Sequence, residues 1–316
     1  MTPIQGLHHV TAITNDAQKN HDFYTQTLGL RLVKLTINYD DPAAYHLYYG
    51  DAAGSPGTLL TFFAWPGPRG TAGTGQVAET AFAVPEGTLD WWQKRVAGEA
   101  ISRFGQKTLL VHDPDGLPLA LVETSGTVDN NTWREGGVPL QYAIRGFHGI
   151  TLAETDERLP AGILEGRFAY RQTAREGNRI RYESQGQHAR VVDVLTQPHT
   201  PARMGPGQVH HVAFRTPTDD EQKAWLRQLR ADGHLVSPVM DRDYFHSIYF
   251  REPGGTLFEL ATDGPGMAIN EPAATLGTRL MLPAWLEDQR AAIQSALPPL
   301  MLRHAPAPAP ALAQTP

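Results

Sequence analysis

GLHHVTA, from Gly6 to Ala12, is a glycine-led strand of alternating character, and the chain repeats its pattern three more times. The other copies are GQVAETAFAV from Gly75, GFHGITLAE from Gly146 and GQVHHVAF from Gly207. Four such starts imply four modules of one supersecondary type. After the first strand, Asp16 can cap a helical run through Phe23, Tyr24 and Leu28 that Gly29 ends. In the fourth module Thr218 and Glu221 have capping-box spacing ahead of Trp225, Leu226 and Leu229, and Gly233 lies just past the end. Strands and turns then close each module, most clearly SPGTLLTFF from Ser55, DPDGLPLALVE from Asp113 and EPGGTLFELAT from Glu252. The unit is β-α-β-β-β, which makes the fold class α+β with four βαβββ modules in two tandem halves.

The modules span about 5–66, 75–126, 145–200 and 207–263. TVDNNTWREGGVP, from Thr127, is rich in turn formers and lacks periodicity, so it separates an N-terminal pair (1–130) from a C-terminal pair (144–264). An extension follows over 265–303, in which Trp285 to Leu297 reads as a short helix with Leu286, Ile293 and Leu297 on one face. The Pro/Ala tail, 304–316, has too little apolar surface to offset its ordering entropy and is expected to be mobile. PGPRGTAGTGQ, from Pro66, has no following Lys-Ser/Thr and precedes a strand, so it reads as a flexible linker rather than a phosphate loop.

Composition narrows the chemistry. With 316 residues, 41% hydrophobic and 19% charged, the chain can build a sizeable core. Its net charge of -6 and dispersed basic residues offer no footprint for nucleic acid or an anionic membrane, which favours a small-molecule partner. No signal-like or membrane-spanning apolar run is visible, and a cytoplasmic location is expected. The absence of Cys removes disulfides, thiolate nucleophiles and iron–sulfur clusters, leaving His and carboxylates as the strong metal ligands.

Aligning the modules on their strand starts and turns sets His9 of the first against His211 of the fourth, and Thr61 of the first against Glu259 of the fourth. The second module has Glu79 in the histidine position and Ala120 in that of Glu259, and the third has Gly149 in place of His9. If modules one and four face each other across a cleft, His9, His211 and Glu259 converge. Two imidazoles and a carboxylate are the facial set that leaves open positions on Fe(II) for substrate and O2. Period-2 alternation puts Leu7, His9 and Thr11 on one strand face, and Leu257, Glu259 and Ala261 on another. A carboxylate in the apolar run TLFELAT is costly to bury unless a cation or strong donors compensate it.

These residues, with YHLYYGD, PGTLLTFFAWPGP, SIYFREPGGTLFE and LPAWLEDQR, resemble the vicinal oxygen chelate superfamily, which includes glyoxalase and extradiol dioxygenases, and within it the hydroquinone-type ring-cleaving dioxygenases. The resemblance covers the whole chain. It implies curved mixed sheets forming open barrels and an iron site of His9, His211 and Glu259 built by modules one and four. It also implies residues that support the ligands or meet the substrate at His8, Thr11, His210, Arg242 and Tyr249. Arg242 and Tyr249 are expected to stabilise oxyanions, and Tyr249 also to relay a proton. His8 and His210 should point to the opposite strand face unless a bulge turns them, and then suit acid–base or ligand-orienting roles. Phe62, Phe63 and Tyr244 are either pocket or core.

The expected reaction is Fe(II)-dependent opening of a hydroquinone- or catechol-like diphenol by O2, with Mn(II) as the possible substitute metal and self-association left open. The rivals are a glyoxalase-like isomerase, a metal-free binding protein of the resistance type, and a structural or stress-induced protein with a vestigial site. Thr61, a hydroxyl where the isomerase would need a second carboxylate, argues against the first. The intact His9, His211 and Glu259 set argues against the other two.

Overall fold

A computed structural model of the chain describes residues 1–126 and 131–302; the tail at 304–316 and the first residues of the inter-half segment lie outside the described residues. Each module has the expected unit. The first comprises β1 (Leu7–Thr14), α1 (Ala17–Asp22), β2 (Arg31–Asn38), β3 (Asp41–Gly50) and β4 (Leu59–Ala64). The second comprises β5 (Gln76–Pro85), α2 (Leu89–Arg95), β6 (Gly98–Arg103), β7 (Gln106–His112) and β8 (Pro118–Thr124). The third comprises β9 (Phe147–Glu154), α3 (Arg158–Leu164), β10 (Arg171–Glu176), β11 (Arg179–Glu183) and β12 (Val191–Thr196). In the fourth come β13 (Val209–Thr216), α4 (Asp219–Ala231), β14 (Met240–Asp241), β15 (Phe245–Arg251) and β16 (Leu257–Pro265).

The helix signals work as read, with one difference. Asp16 accepts hydrogen bonds from the N–H groups of Gln18 and Lys19, and Gly29 takes the left-handed φ of +73° that ends the helical run. Thr218 caps α4 by accepting from the Glu221 N–H at 3.3 Å. The Glu221 carboxylate accepts from the Thr2 hydroxyl at 2.7 Å, so this capping box closes in one direction and the acid ties down the N-terminus.

Two mixed eight-stranded sheets result, ordered β14-β15-β16-β13-β1-β4-β3-β2 and β10-β11-β12-β9-β5-β8-β7-β6. Modules one and four share the first sheet, and modules two and three the second. In each sheet the first strands of the two modules pair antiparallel at the centre, β1 with β13 and β5 with β9. The register of β1 on β13 skips once on each strand, which makes His8 and His210 the extra, bulged residues. Strand β5 on β9 skips at Ala78 and His148, the same module position. The bulge therefore recurs in all four modules, and each sheet carries an approximate twofold axis through its centre.

The linker from Pro66 is not free. Thr71 and Arg203 exchange backbone hydrogen bonds of 2.8 and 3.0 Å, and the Thr74 N–H donates to the Thr200 carbonyl. The two crossovers between sheets thus run side by side and satisfy each other's polar backbone. The extension covers the edge strand β2: the Met281 N–H donates to Leu35 O, and the Thr36 hydroxyl to Met281 O. Its helical part begins as a 3-10 turn, Ala284–Gln289, and continues as α5 (Arg290–Ala296), with Leu286, Ile293 and Leu297 buried together.

A carboxyl pair lies where the end of β9 meets the turn between β15 and β16. Glu154 accepts from the Thr256 hydroxyl at 3.0 Å through one oxygen, while the other is buried without a partner. Glu252 accepts the Gly254 and Thr256 N–H groups. Burial first, and then repulsion from Glu252, push the Glu154 carboxyl from 4.5 up to about 8. The folded chain therefore keeps a proton that the unfolded chain releases. This stabilisation is fully present below about pH 4.5 and is lost as pH rises through about 8. Between pH 5 and 9 the thermal midpoint of the native chain is expected to fall more steeply than that of Glu154→Gln; parallel pH profiles would mean no retained proton.

Candidate metal centre

Three side chains from different strands meet beside the twofold axis of the first sheet. His9 comes from β1, His211 from β13 and Glu259 from β16, all buried, and their ligand atoms lie within 4.8 Å of one another. His211 Nε2 is 3.0 Å and His9 Nε2 3.3 Å from Glu259 Oε2, and the two Nε2 atoms are 3.4 Å apart. Bonds of about 2.1 Å to one ion place neighbouring ligand atoms roughly 3.0 to 3.4 Å apart, depending on the angle at the ion. The donor set therefore fits a single divalent metal. The carboxylate is prepared for it, since Oε1 takes the Ser247 hydroxyl and leaves Oε2 buried without a hydrogen bond, facing the two imidazoles. Burial pushes His211 below the ordinary histidine range even against the pull of Glu259, which favours the neutral ring that a metal needs. Burial opposes the ionisation of Glu259, but His9 and His211 outweigh it and hold that carboxyl well below its usual range. A cation between these three groups relieves the crowding of lone pairs.

The bulges place the flanking histidines. His8 Nδ1 lies 2.9 Å from His9 Nδ1, and His210 Nδ1 lies 2.8 Å from His211 Nδ1. Each metal-facing imidazole is thus oriented through its far nitrogen by its own neighbour in sequence. Burial, followed by the adjacent imidazole, keeps both flanking rings neutral, His8 well below its ordinary value and His210 down to about 3. Leu7 does not share the site with His9 as strict alternation predicts. The bulge at His8 breaks the period, and Leu7 joins the main apolar core. Phe245 packs its ring 4.9 Å from His9 and 5.0 Å from His8.

The triad opens into a cavity of about 330 Å³ lined by Thr11, His46, Tyr48, Phe63, Trp65 and His210 among others, with Arg242, Tyr249 and Leu257 on the opposing wall. That volume suits one aromatic ring with small substituents. Arg242 Nε donates to the Tyr249 hydroxyl at 3.4 Å, and its Nη1 faces Asp40 at 3.5 Å. Burial works against the Arg242 charge, but Tyr249, Asp40 and Glu259 outweigh it and raise its pKa. Burial and then the Glu259 charge push the Tyr249 phenol up, which keeps it a donor. Of the three aromatics named from sequence, Phe63 lines the cavity and Phe62 does not: adjacent residues on β4 face opposite ways, and Phe62 packs on Tyr24 in the core. Tyr244 is also core, beneath the Lys34 ammonium at 4.7 Å.

Thr61 occupies the position that Glu259 holds in the other module, and its hydroxyl is engaged by Thr11 at 2.8 Å and by His46 Nε2 at 2.9 Å. His46 in turn meets the Tyr48 hydroxyl through Nδ1 at 2.9 Å. These two residues carry no strong signal in the sequence: YHLYYG reads as an aromatic strand, and only the pairing of β3 with β4 turns His46 toward Thr61.

At the centre of the second sheet the equivalent positions hold a different solution. Glu79 takes both Nη atoms of Arg103, Asp193 is held by Arg181 at 2.8 and 3.1 Å, and Gly149 and Ala120 supply no ligand. Guanidinium groups there provide the positive charge.

Residues 6–153 and 161–260 match the family model for the glyoxalase/bleomycin resistance protein/dioxygenase superfamily. The chain belongs to that superfamily. It is 44% identical over 305 residues to MhqO of Bacillus subtilis, a protein named as a ring-cleaving dioxygenase, covering 95% of this chain and 97% of that one. It is 36% identical over 300 residues to the chlorohydroquinone/hydroquinone 1,2-dioxygenase of Sphingobium indicum, covering 90% and 93%. A crystal structure of a dioxygenase from B. subtilis superposes with a TM-score of 0.93 at 43% identity, covering 96% of this chain and all of that one. Glyoxalase I from Zea mays shares the fold, with a TM-score of 0.60 at 12% identity over 82% of this chain and 92% of the maize one. Relatives named as dioxygenases cover nine-tenths or more of the chain, which supports reading it as an oxygenase. No helix among the described residues is long and apolar enough to cross a membrane.

Proposed function

We propose that this chain is an Fe(II)-dependent dioxygenase, with Mn(II) the possible substitute, that opens the ring of a monocyclic hydroquinone or catechol beside a hydroxylated carbon, working in the cytoplasm. The observation that carries the reading is the buried His9, His211 and Glu259 set at the base of an aromatic-walled cavity, with a hydroxyl rather than a carboxylate at the fourth equivalent position. A metal bound there supplies a Lewis acid for a diphenol oxygen and a path for electrons between ring and O2.

The rest falls to the chain itself. Phe63 and Trp65, with ring centroids 4.6 Å apart and planes tilted by 32°, form an apolar wall against which an aromatic ring packs. Arg242 and Tyr249 offer donors to oxygen atoms that gain charge, and because their own contacts are long they bond a substrate oxygen at little cost. His8 and His210 fix the ligand imidazoles. Glyoxalase-type isomerisation is disfavoured because the Thr61 hydroxyl is committed to Thr11 and His46.

The test is anaerobic Fe(II) reconstitution followed by oxygen-electrode uptake with chlorohydroquinone, methylhydroquinone and catechol, beside His211→Ala. Uptake with a new ring-opened chromophore, lost in the variant, is expected. Bound metal without uptake would point to the isomerase, and no bound metal to a binding protein.

A further inference from the structure

Cleavage of a diphenol by O2 yields a ring-opened acid that contains every atom of both reactants. No outside electrons are needed and no proton is gained or lost before the new acid ionises. A proton taken from a substrate hydroxyl at the start must therefore be given back at another atom of the reacting molecules. A conductor with both ends in the same cavity does this without exchange with solvent.

One is present in the wall of the cavity. The oxygens of Thr11 and Thr61 are 2.8 Å apart, Thr61 Oγ1 is 2.9 Å from His46 Nε2, and His46 Nδ1 is 2.9 Å from the Tyr48 hydroxyl. Thr11, His46 and Tyr48 all line the cavity, while Thr61 is buried behind them. Thr11 pairs across the strands with His211, which puts that end beside the metal position. Tilted contacts of the His46 ring with Tyr48, centroids 4.1 Å apart, and with Phe63, 4.4 Å apart, hold it in the chain. A neutral imidazole donates at one nitrogen and accepts at the other, so every link can run in either direction.

We propose that Thr11, Thr61, His46 and Tyr48 form a proton relay that carries a substrate proton from the metal side of the cavity to the Tyr48 hydroxyl. The proposal rests on the ring-cleaving reading above. Before transfer, Thr11 donates to Thr61, Thr61 to His46 Nε2, and His46 Nδ1–H to Tyr48, whose own proton faces the cavity. The substrate hydroxyl gives its proton to Thr11 Oγ1 and keeps the electron pair. Thr11 passes its own proton to Thr61, Thr61 passes its own to His46 Nε2, and Nδ1 releases its proton to the Tyr48 oxygen. The original Tyr48 proton leaves to a substrate- or O2-derived oxygen in the cavity. Each residue ends with one proton, no electron changes owner, and His46 has changed tautomer. Thr61 thus serves as the relay's buried joint at the vertex that its module twin fills with Glu259.

The decisive comparison is Thr61→Val, which removes the joint at nearly constant volume, with Thr61→Ser, which keeps it. In the Fe(II)-loaded enzyme, Val is expected to lower kcat at least about tenfold with KM within about twofold, and added imidazole buffer to restore part of the rate. Ser is expected to stay within about threefold of the native enzyme. In zinc-loaded protein under argon, nitrogen NMR of His46 should place its proton on Nδ1, with Nε2 accepting from Thr61, and Thr61→Val should lose this fixed tautomer. A Val variant as fast as the native enzyme, equal unrescued losses in Val and Ser, or a resting His46 protonated on Nε2 would each overturn the relay. A native enzyme that consumes no O2 would instead refute ring cleavage, and the tautomer measurement would still decide the relay.

Discussion

Glu259→Gln is expected to fold normally and lose its metal. The amide keeps the volume and can still meet the Ser247 hydroxyl, but it removes the negative charge that faces His9 and His211 at 3.3 and 3.0 Å. Two neutral imidazoles and an amide oxygen make a far weaker site for a divalent ion. Changes in residues that only orient a ligand already cost about 10–100-fold in affinity, so loss of the charged ligand is expected to exceed about a hundredfold. Equilibrium dialysis against Fe(II) or Mn(II) reads this directly, and O2 uptake should fall below about 1% of native. Stoichiometric, native-strength metal binding by Glu259→Gln would remove Glu259 from the ligand set.

The largest effect on stability is expected from a pair far from the chemistry. Lys34 on β2 and Glu271 in the C-terminal extension form an ion pair with both side chains wholly inaccessible to water. Asn270 also accepts from the ammonium at 3.0 Å, and the Tyr244 ring lies 4.7 Å away. Removing one member strands the other's charge in the core, at a cost of about 3–5 kcal/mol. Lys34→Met alone should therefore lower the thermal midpoint by roughly 6–20 °C. Lys34→Met combined with Glu271→Leu is expected to recover most of the loss, since a well-packed apolar pair replaces a buried ion pair at little or no cost. Double and single variants that melt together would show that the charge is not stranded. The loop that carries Arg242 rests on this cluster through Tyr244, whose hydroxyl accepts from Asn270 at 3.4 Å.

Residues that owe their position to the repeat were legible in the sequence. His9, His211, Glu259 and Thr61 occupy equivalent module positions, and symmetry about the centre of a sheet brings such positions together. The orientation of His8 and His210 turned on a bulge, which period-2 alternation flags only as an interruption. What sequence reading missed depends on pairings between distant strands. His46 gains meaning from β4, and Lys34 reads as an ordinary strand lysine until Glu271 returns to it from the far end of the chain. The linker from Pro66 looked free because its partner is another linker of equally bland composition. Phe62 was the exception: the alternation that set Thr61 and Phe63 on one face already assigned it to the core.

The sharing of one sheet by the first and last modules has a consequence for biosynthesis. His9 and His211 lie 202 positions apart, and the strands between them belong mostly to the other sheet. As the chain emerges, modules two and three can complete their own sheet while β1 still lacks its central neighbour. Until β13 and β16 arrive, the first module presents an open strand edge that bears His9 but cannot hold a metal, the condition in which sheets pair with the wrong chain. Completion of the candidate centre is therefore tied to the end of synthesis, and a chain cut short before Glu259 can complete the second sheet but lacks the third member of the His9, His211 and Glu259 cluster.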